Sequence, residues 1–412
     1  MKPFSIFDRS DHTLVRKVNT SLVLDSLRAS APLSRSSISY RTGLNRSTVS
    51  SVIDELLHDR LVREVGLQPS QGGRPGVLLE LNPEGGCAIG VELGIGFVSI
   101  LLTNFTAQAI WRERISFSPR EDFASTLLRM EELIKHAIGL GQQQGLQPLG
   151  VGLGLPGLVD IGTGELVLAP NLNVGNIKFG KSWRQRVGVH VFVENEANAA
   201  ALGEYYFGHA RHVRNLIYLS AGAGLGSGII INGRLFRGTA GYAGEIGHTL
   251  TGADSGELCG CGNRGCLETL AGPRAILRKV RLTLEDERNH GDSQLTAADP
   301  EQIDMEMVVE AAQAGHPVAL NALREAGRYL GIGISNLINT FNPEMVVLGG
   351  ALSLASPILL PVIAQTTQQQ VLSPLRDTFE VLASAHGVDA CTMGAVALVM
   401  DDILREPMMN LV

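Results

Sequence analysis

The 412-residue sequence predicts a winged helix-turn-helix head followed by a larger mixed α/β body. Three observations carry that expectation. Helical apolar spacing, two N-cap residues and a glycine turn occupy residues 13–57, and two strand-like runs follow. From Cys87 onward the texture changes to Gly-punctuated apolar strands mixed with helical stretches. Three of the chain's five cysteines fall within eight positions, in CGCGNRGCLE from Cys259 to Glu268.

In the head, TLVRKVNTSLVLDSLRA (13–29) places Leu14, Val15, Val18, Leu22, Val23 and Leu27 at roughly helical spacing. Ser34 reads as the N-cap of a short helix through Ile38 and Tyr40, and Gly43 supplies a turn. Asn45 reads as the cap of a second helix with Val49, Val52, Ile53, Leu56 and Leu57 on its inner face. Two short helices about a Gly turn make a helix-turn-helix. The runs LVREVG and GVLLELN, with polar LQPSQGGRP between them, read as a hairpin wing.

The alternative is a small all-helical interaction domain. The second helix argues against it, because it presents Arg46, Ser47, Thr48, Ser50 and Ser51, side chains able to bond bases and phosphates in a major groove. Arg74, between Gly73 and Pro75, suits a narrow minor groove. The head is therefore placed at residues 1–82, with Asn82 to Gly86 as a linker.

Charge alone does not mark the head, since a surplus of three positive charges over 82 residues is ordinary scatter. Residues 1–82 hold 11 Lys+Arg against 8 Asp+Glu, and the remainder holds 23 against 33. An acidic body does not favour nucleic acid, but a small basic head can. A hydrophobic fraction of 44% and a charged fraction of 18% fit a soluble globular protein of two or three domains. The start, MKPFSIFDRSDHT, lacks an apolar signal core, and AIGVELGIGFVSILL carries Glu92 and is too short and Gly-rich to span a bilayer. A cytoplasmic protein without a membrane partner, and without disulfides, is expected.

In the body, AIGVELG and FVSILLTN read as a hairpin and AQAIWRERIS as a third strand. LGVGLGLPGLVD leaves a strand at Pro156 and Gly157, and HVFVENEANAAALGEYYFG is a strand running into a helix. NLIYLSAGAGLGSGIIING reads as another hairpin, and MVVLGG as a late strand before a helix. The glycines from Gly222 to Gly228 are not a dinucleotide fingerprint: the third falls at the wrong step and a strand follows. They suit a hairpin that approaches a phosphate or another backbone.

His248 lies upstream of the cysteine cluster, giving His-x10-Cys-x-Cys-x4-Cys. Three thiolates and an imidazole at such spacing can close a tetrahedral zinc site on His248, Cys259, Cys261 and Cys266. Four protein ligands leave no open position, so the zinc is expected to be structural. Three buried free thiols are the alternative, but packing has no need to gather them among Gly260, Gly262 and Gly265. Glu245 lies three before His248 and Glu268 two after Cys266, each in a Gly-punctuated segment. Converging carboxylates and an imidazole suit a polyol, whose hydroxyls both donate and accept.

These residues resemble the ROK family (repressors, open reading frames and kinases). The motifs are GEIGH, CGCGNRGCLE, VENEANAAALGE, LGLPGLVD and NPEMVVLGG, and with the winged head the chain is similar to the family's repressors of sugar operons. The resemblance implies two actin/hexokinase-like (ribonuclease H-like) lobes: residues 86–204, completed by a C-terminal helix at 391–412, and residues 205–390 with the zinc. It implies sugar contacts from Asn195, Glu196, Glu245, His248 and Glu268, His248 also serving the metal. It further implies a homodimer or higher homo-oligomer on a palindromic, AT-rich operator.

A repressor is expected rather than the alternative, an ATP-dependent sugar kinase with an attached head. The family's kinases carry an Asp-x-Gly-Gly-Thr type loop where this chain has Glu92-Leu-Gly-Ile-Gly-Phe97, and an Asp base where it has Glu196. A monosaccharide is the expected effector, either releasing DNA or tightening its hold. The Asn-Glu-Ala-Asn stretch resembles that of the family's xylose repressors, so xylose is placed before glucose or an amino sugar. The longer Glu196 would fill the space of a hexose C6 hydroxymethyl.

Overall fold

The structure, a computed structural model, describes residues 12–68, 75–118, 122–222, 224–251, 257–288 and 302–405. Helix α1 (His12–Ser30) opens the head. It buries Thr20, Val23, Leu24 and Leu27, whereas Leu14, Val15, Val18 and Leu22 are 40–60% exposed. The apolar stripe marks the helix but overstates how much of it faces the core. The short helices against which it packs cannot cover its full length.

After β1 (Leu33–Ser34), the Ser34 hydroxyl accepts from Ser37 N–H and caps α2 (Arg35–Thr42). Gly43, at φ 72°, ends that helix by donating to Ser39 O. Asn45 Oδ1 accepts from Thr48 N–H at 2.8 Å and caps α3 (Arg46–His58), which buries Val49, Val52, Ile53 and Leu56. β2 (Val62–Leu67) and β3 (Val77–Leu81) pair antiparallel, with β1 on the outer side of β3. Helix-turn-helix plus this three-stranded sheet is the expected winged head.

The Asn82 to Gly86 stretch is not the loose linker expected. Pro83–Gly85 forms one 3-10 turn, and buried Asn82 donates to Arg60 O at 2.7 Å while accepting from Glu84 N–H. Phe105 N–H donates back to Pro83 O. One apolar cluster runs from Leu24 and Ile53 in the head through Phe105 into the body. An Asn side chain that satisfies backbone on both sides of the turn makes this junction a clamp.

The body begins with the meander β4 (Cys87–Leu93), β5 (Phe97–Asn104) and β6 (Ala109–Ser116). Helix α4 (Phe123–Gln143) leads to β7 (Pro148–Leu155), which lies parallel to β4. A small antiparallel sheet follows, of β8 (Leu158–Asp160), β9 (Glu165–Ala169) and β10 (Val174–Lys178). Then come α5 (Gly180–Val187), β11 (Val191–Asn195) and α6 (Glu196–Phe207). The first large sheet has the order β11-β7-β4-β5-β6.

The second sheet is built from β12 (Leu216–Ala221), β13 (Leu225–Ile231) and β14 (Arg234–Leu235), with two strands from late in the chain. Between them lie α7 (Leu267–Ala271), α8 (Pro273–Arg288), α9 (Met305–Gln313) and α10 (Pro317–Phe341). β15 (Met345–Gly350), α11 (Ala351–Leu354), α12 (Ser356–Gln370), β16 (Glu380–Ala383) and α13 (Ala390–Arg405) complete the chain. The order is β14-β13-β12-β15-β16.

Two helices join the sheets. α6 packs on β12 and β13, α13 packs on β4 and β7, and the two helices pack on each other. Their contact is close because Gly203 and Gly394 face one another across it; a Cβ on Gly394 would overlap the Ala199 carbonyl. The division expected at residue 204 falls inside α6, and residues 406–412 of the expected C-terminal helix lie outside the described residues. Among the described residues no helix is long and apolar enough to cross a membrane.

Candidate functional site

The cysteine segment folds as a knuckle. Cys259 N–H donates to Asn263 O and Gly262 N–H to Cys259 O, with Gly262 and Gly265 at positive φ. Cys266 then starts α7, whose first turn carries Glu268. His248 closes a 3-10 turn after Glu245. Gly247 lets that turn lie on β13, since a Cβ there would overlap the Leu225 carbonyl.

The ligand atoms of His248, Cys259, Cys261 and Cys266 lie within 4.8 Å of one another. A tetrahedral zinc with Zn–S near 2.3 Å and Zn–N near 2.0 Å has edges of roughly 3.5–3.8 Å. Cys261 Sγ to Cys266 Sγ is 3.6 Å and Cys259 Sγ to His248 Nδ1 is 3.5 Å. The donor set can therefore hold a metal ion and is compatible with a structural zinc. His248 turns Nδ1 to the thiols and Nε2 towards Glu245, 4.0 Å from its Oε2.

A cleft of about 360 Å³ adjoins this cluster. All five sequence-predicted side chains, Asn195, Glu196, Glu245, His248 and Glu268, line it. Asn195 is mostly committed to structure: its Oδ1 caps α6 through Ala197 and Asn198 N–H, and its Nδ2 donates to Gly157 O at 2.9 Å. Glu268 Oε1 accepts from the Cys259 thiol at 2.9 Å.

Carboxyl groups dominate the cleft's electrostatics. Burial, and then the charge of Glu245, push Glu196 up to about 7. Behind it Glu92 on β4 is pushed up to about 8, by burial first and then by Glu196. Burial also raises Glu245. A carboxyl such as Glu196, raised towards neutral pH, can donate to a hydroxyl when protonated and accept from one when ionised.

Sequence reasoning missed several participants. Asn171, Ser227 and Tyr242 also line the cleft. Buried Glu194 receives Asn195 N–H and Asn198 Nδ2 on Oε1 and pairs with Arg237 at 2.8 Å on Oε2. It fixes the strand-to-helix corner that presents Glu196. Nothing in the sequence distinguishes Glu194 from its neighbour two positions on; only the fold turns one inward to Arg237.

The loop that would be a phosphate loop in the kinase pattern is filled. The Phe97 ring folds over Gly94, where a Cβ would overlap it, and the Arg114 guanidinium lies 3.6 Å over that ring. On the neighbouring strands of the second sheet, a Cβ on Gly349 would overlap the buried Tyr218 ring. Of the glycines between Gly222 and Gly228, Gly228 makes the expected close backbone approach, since a Cβ there would press on the Ala197 carbonyl and Ala201, while Gly224 and Gly226 line the cleft.

In the head, Arg46 and Ser47 are exposed at the start of α3, whereas Thr48 and Ser50 are half-buried. The expectation that Thr48 and Ser50 face outward is thus only partly met, because both lie beside the buried Val49 and its contacts. Ser47 donates to the cap Asn45 Oδ1 at 2.7 Å. Arg74 lies outside the described residues. Tyr40 on α2 is 90% exposed.

The head meets the body through Arg28. Its side chain is 8% exposed and its guanidinium lies 4.5 Å from the Tyr206 ring centre and 5.2 Å from that of Tyr205. Nη1 donates to the carbonyls of Tyr205 and Tyr206 at 3.3 and 3.5 Å. Tyr206 Oη in turn bonds Asp401, which Arg405 also engages. The helix that begins at the cleft with Glu196 therefore ends under the head, about 18 Å away at 1.5 Å per residue over twelve residues.

Residues 88–402 match the model of the ROK family. The xylose repressor of Caldicellulosiruptor bescii is 36% identical over 397 residues, covering 96% of this chain and 99% of that protein. A crystal structure of a ROK family transcriptional regulator, a homologue of the E. coli MLC protein, superposes with a TM-score of 0.81 at 30% identity, covering 95% of this chain and 97% of that one. A ROK family glucokinase from Streptomyces griseus, in complex with glucose and AMPPNP, superposes with a TM-score of 0.66 at 31% identity. It covers 76% of this chain and 99% of its own.

Proposed function

The chain belongs to the ROK family, and on that premise we propose that it is a sugar-responsive transcriptional repressor of a carbohydrate-utilisation operon. One observation carries the reading: a winged helix is docked, through Arg28, on the far end of the helix whose near end forms the carboxyl-lined cleft. A cleft used only for chemistry needs no such link to a DNA-binding head.

A homodimer places two α3 helices on a palindromic, AT-rich operator, with Arg46, Ser47, Thr48 and Ser50 at the major groove and Arg74 in the wing. The monosaccharide binds among Asn195, Glu196, Glu245, His248 and Glu268. Binding draws the lobes together, shifts α6 under Arg28 and re-aims the heads, releasing DNA. Zinc on His248, Cys259, Cys261 and Cys266 is structural and fixes the loop that carries Glu268. A thiolate has no proton to give, so the metal-bound form frees Glu268 from Cys259 to face the ligand.

The favoured effector is xylose. The relative named as a xylose repressor supports this, as does Glu196, whose Oε1 lies 3.5 Å from where a Cβ on Gly222 would stand. By the family resemblance this is the side on which a hexose would carry its sixth carbon. Phosphoryl transfer is not part of the reading; the Phe97 ring packed over Gly94, in the loop where the family's kinases carry their phosphate-binding sequence, supports this. The test is a gel shift on the protein's own upstream DNA with xylose, glucose and N-acetylglucosamine, run beside a coupled ATPase assay. Sugar-dependent release without ATP turnover is expected. Turnover with a sugar, and no preference for upstream over random DNA, would instead favour the kinase reading.

A further inference from the structure

The cleft does not end at Glu268. A second chamber, of about 340 Å³, adjoins it, and Pro170, Asn171, Gly224, His248 and Glu268 line both. Pro170 and Asn171 lie between β9 and β10. Gly224, His248 and Glu268 come from the segments around β13 and α7 that follow in the chain. Since both walls are common to the two chambers, they are successive lengths of one groove. The outer length is nearly as large as the inner, so a ring that fits the first finds comparable room in the second.

The lining changes along the groove. The inner length is rich in acceptors, with Glu196, Glu245 and Glu268. The outer length offers donors, Arg274 and Arg278, beside the small or apolar surfaces of Leu258, Gly260 and Ala275, with Cys259 and Cys261 of the candidate metal cluster also in its wall. Arg278 is engaged by the Glu257 carboxylate and by Thr269 O. Arg274 is exposed at the start of α8 and has no ion-pair or hydrogen-bond partner among the described residues. A saccharide ring presents C–H faces and hydroxyls together, which is what a wall of small residues beside a free guanidinium receives.

We propose that the groove takes a disaccharide of neutral, glycosidically linked rings, one in the inner length and one in the outer, with Arg274 donating to the outer ring. The proposal rests on the sugar reading of the inner cleft. Glu268 and His248, common to both lengths, stand beside the linkage. The outer length sets the length of saccharide accepted and adds affinity that a monosaccharide cannot use.

Titration calorimetry on the full chain, with xylose, its β-1,4-linked disaccharide and xylose 1-phosphate, tests this. The disaccharide should bind at least about tenfold tighter than xylose. Arg274→Ala should reduce disaccharide affinity about tenfold and leave xylose within about twofold. Gly260 has nothing within 4 Å of a built Cβ, so Gly260→Leu fits its own backbone and narrows only the outer length. With metal content unchanged, it should reject the disaccharide and keep xylose. Xylose binding with no gain for the disaccharide overturns the subsite and leaves the sugar-sensor reading standing. Tighter binding of the 1-phosphate than of the disaccharide also overturns it, in favour of an anion seat at Arg274. Binding of no saccharide, including glucose and cellobiose, overturns the sensor reading itself. Glucose with a tenfold gain for cellobiose upholds the subsite with a different ring.

Discussion

Arg28→Ala tests whether the head reports on the cleft through α6. The wild-type guanidinium is nearly buried, stacks on Tyr206 and donates to two carbonyls at the end of that helix. A desolvated cation–π contact contributes about 1–2 kcal/mol, and a hydrogen bond from a charged donor about 1 kcal/mol more after allowance for the long distances. These terms overlap, so about 2–3 kcal/mol of docking free energy is at stake, or roughly 30–150-fold in the docked fraction. That is the size of a typical coupling between sites. The variant should keep its sugar affinity within about twofold, because the cleft lies at the other end of α6. Its operator affinity should lose most of its sugar response, the ratio with and without xylose falling below about threefold. Fluorescence anisotropy on an operator fragment gives the ratio, and hydrogen exchange over α1 and α6 gives the docking. A full response in Arg28→Ala, whether the head stays docked or not, would refute the coupling route.

Three further predictions follow from the site. Glu196 is raised from an unfolded value near 4.5 to about 7, so its contribution to stability is complete below about pH 4.5 and is lost as pH rises through about 7. The ligand-free protein should therefore lose stability from pH 5 to pH 8, and Glu196→Gln should recover about 2 kcal/mol at pH 8 and almost nothing at pH 5, as read by denaturant melts at both pH values; equal gains at both would exclude the carboxylate's charge as the cause. Cys259→Ala should lose the metal by elemental analysis and weaken sugar binding at least about tenfold while the head still binds DNA, because Glu268 loses its anchored loop; a variant with no metal and unchanged sugar affinity would contradict this. Glu196→Asp should shift calorimetric preference from xylose toward glucose by shortening the side chain that occupies the sixth-carbon space; no change in the order would remove Glu196 as the discriminator.

Local signals in the sequence sufficed wherever one residue fixes a backbone feature. Ser34, Gly43 and Asn45 cap and turn the head helices as expected, because each acts on backbone within four residues of itself. The His/Cys cluster able to hold a metal was equally legible, since its geometry is encoded in spacings of two and five with glycines at the turns. Long-range choices were not. The apolar pattern of α1 does not say that Leu14, Val15, Val18 and Leu22 remain exposed, which depends on how far α2 and α3 extend. Asn82 looked like linker composition, yet its amide is used on both sides of the turn. No local pattern marks Arg28, because its partners lie 177 and 178 positions away. Such contacts leave no periodicity in the chain.

The same contrast bears on how a kinase-like cleft can serve as a sensor. Catalysis needs groups that bind the transition state more strongly than the ground state, and for phosphoryl transfer these are the loops that cradle phosphates. In the proposed reading the Phe97 ring occupies the first of those loops, and the available binding free energy goes to the ground-state sugar. Ground-state binding is useful only if it distinguishes two conformations of the protein. The close α6–α13 contact at Gly203 and Gly394 supplies a joint between the two sheets, and Arg28 and the Asp401 network tie the head to both helices at their far ends. A lobe movement that tilts α6 against α13 must therefore strain or reseat the head. In the proposed reading, filling the phosphate loop at Phe97 and clamping the head are two parts of one change: the first leaves the sugar unmodified in the cleft, and the second gives its binding a consequence at the DNA.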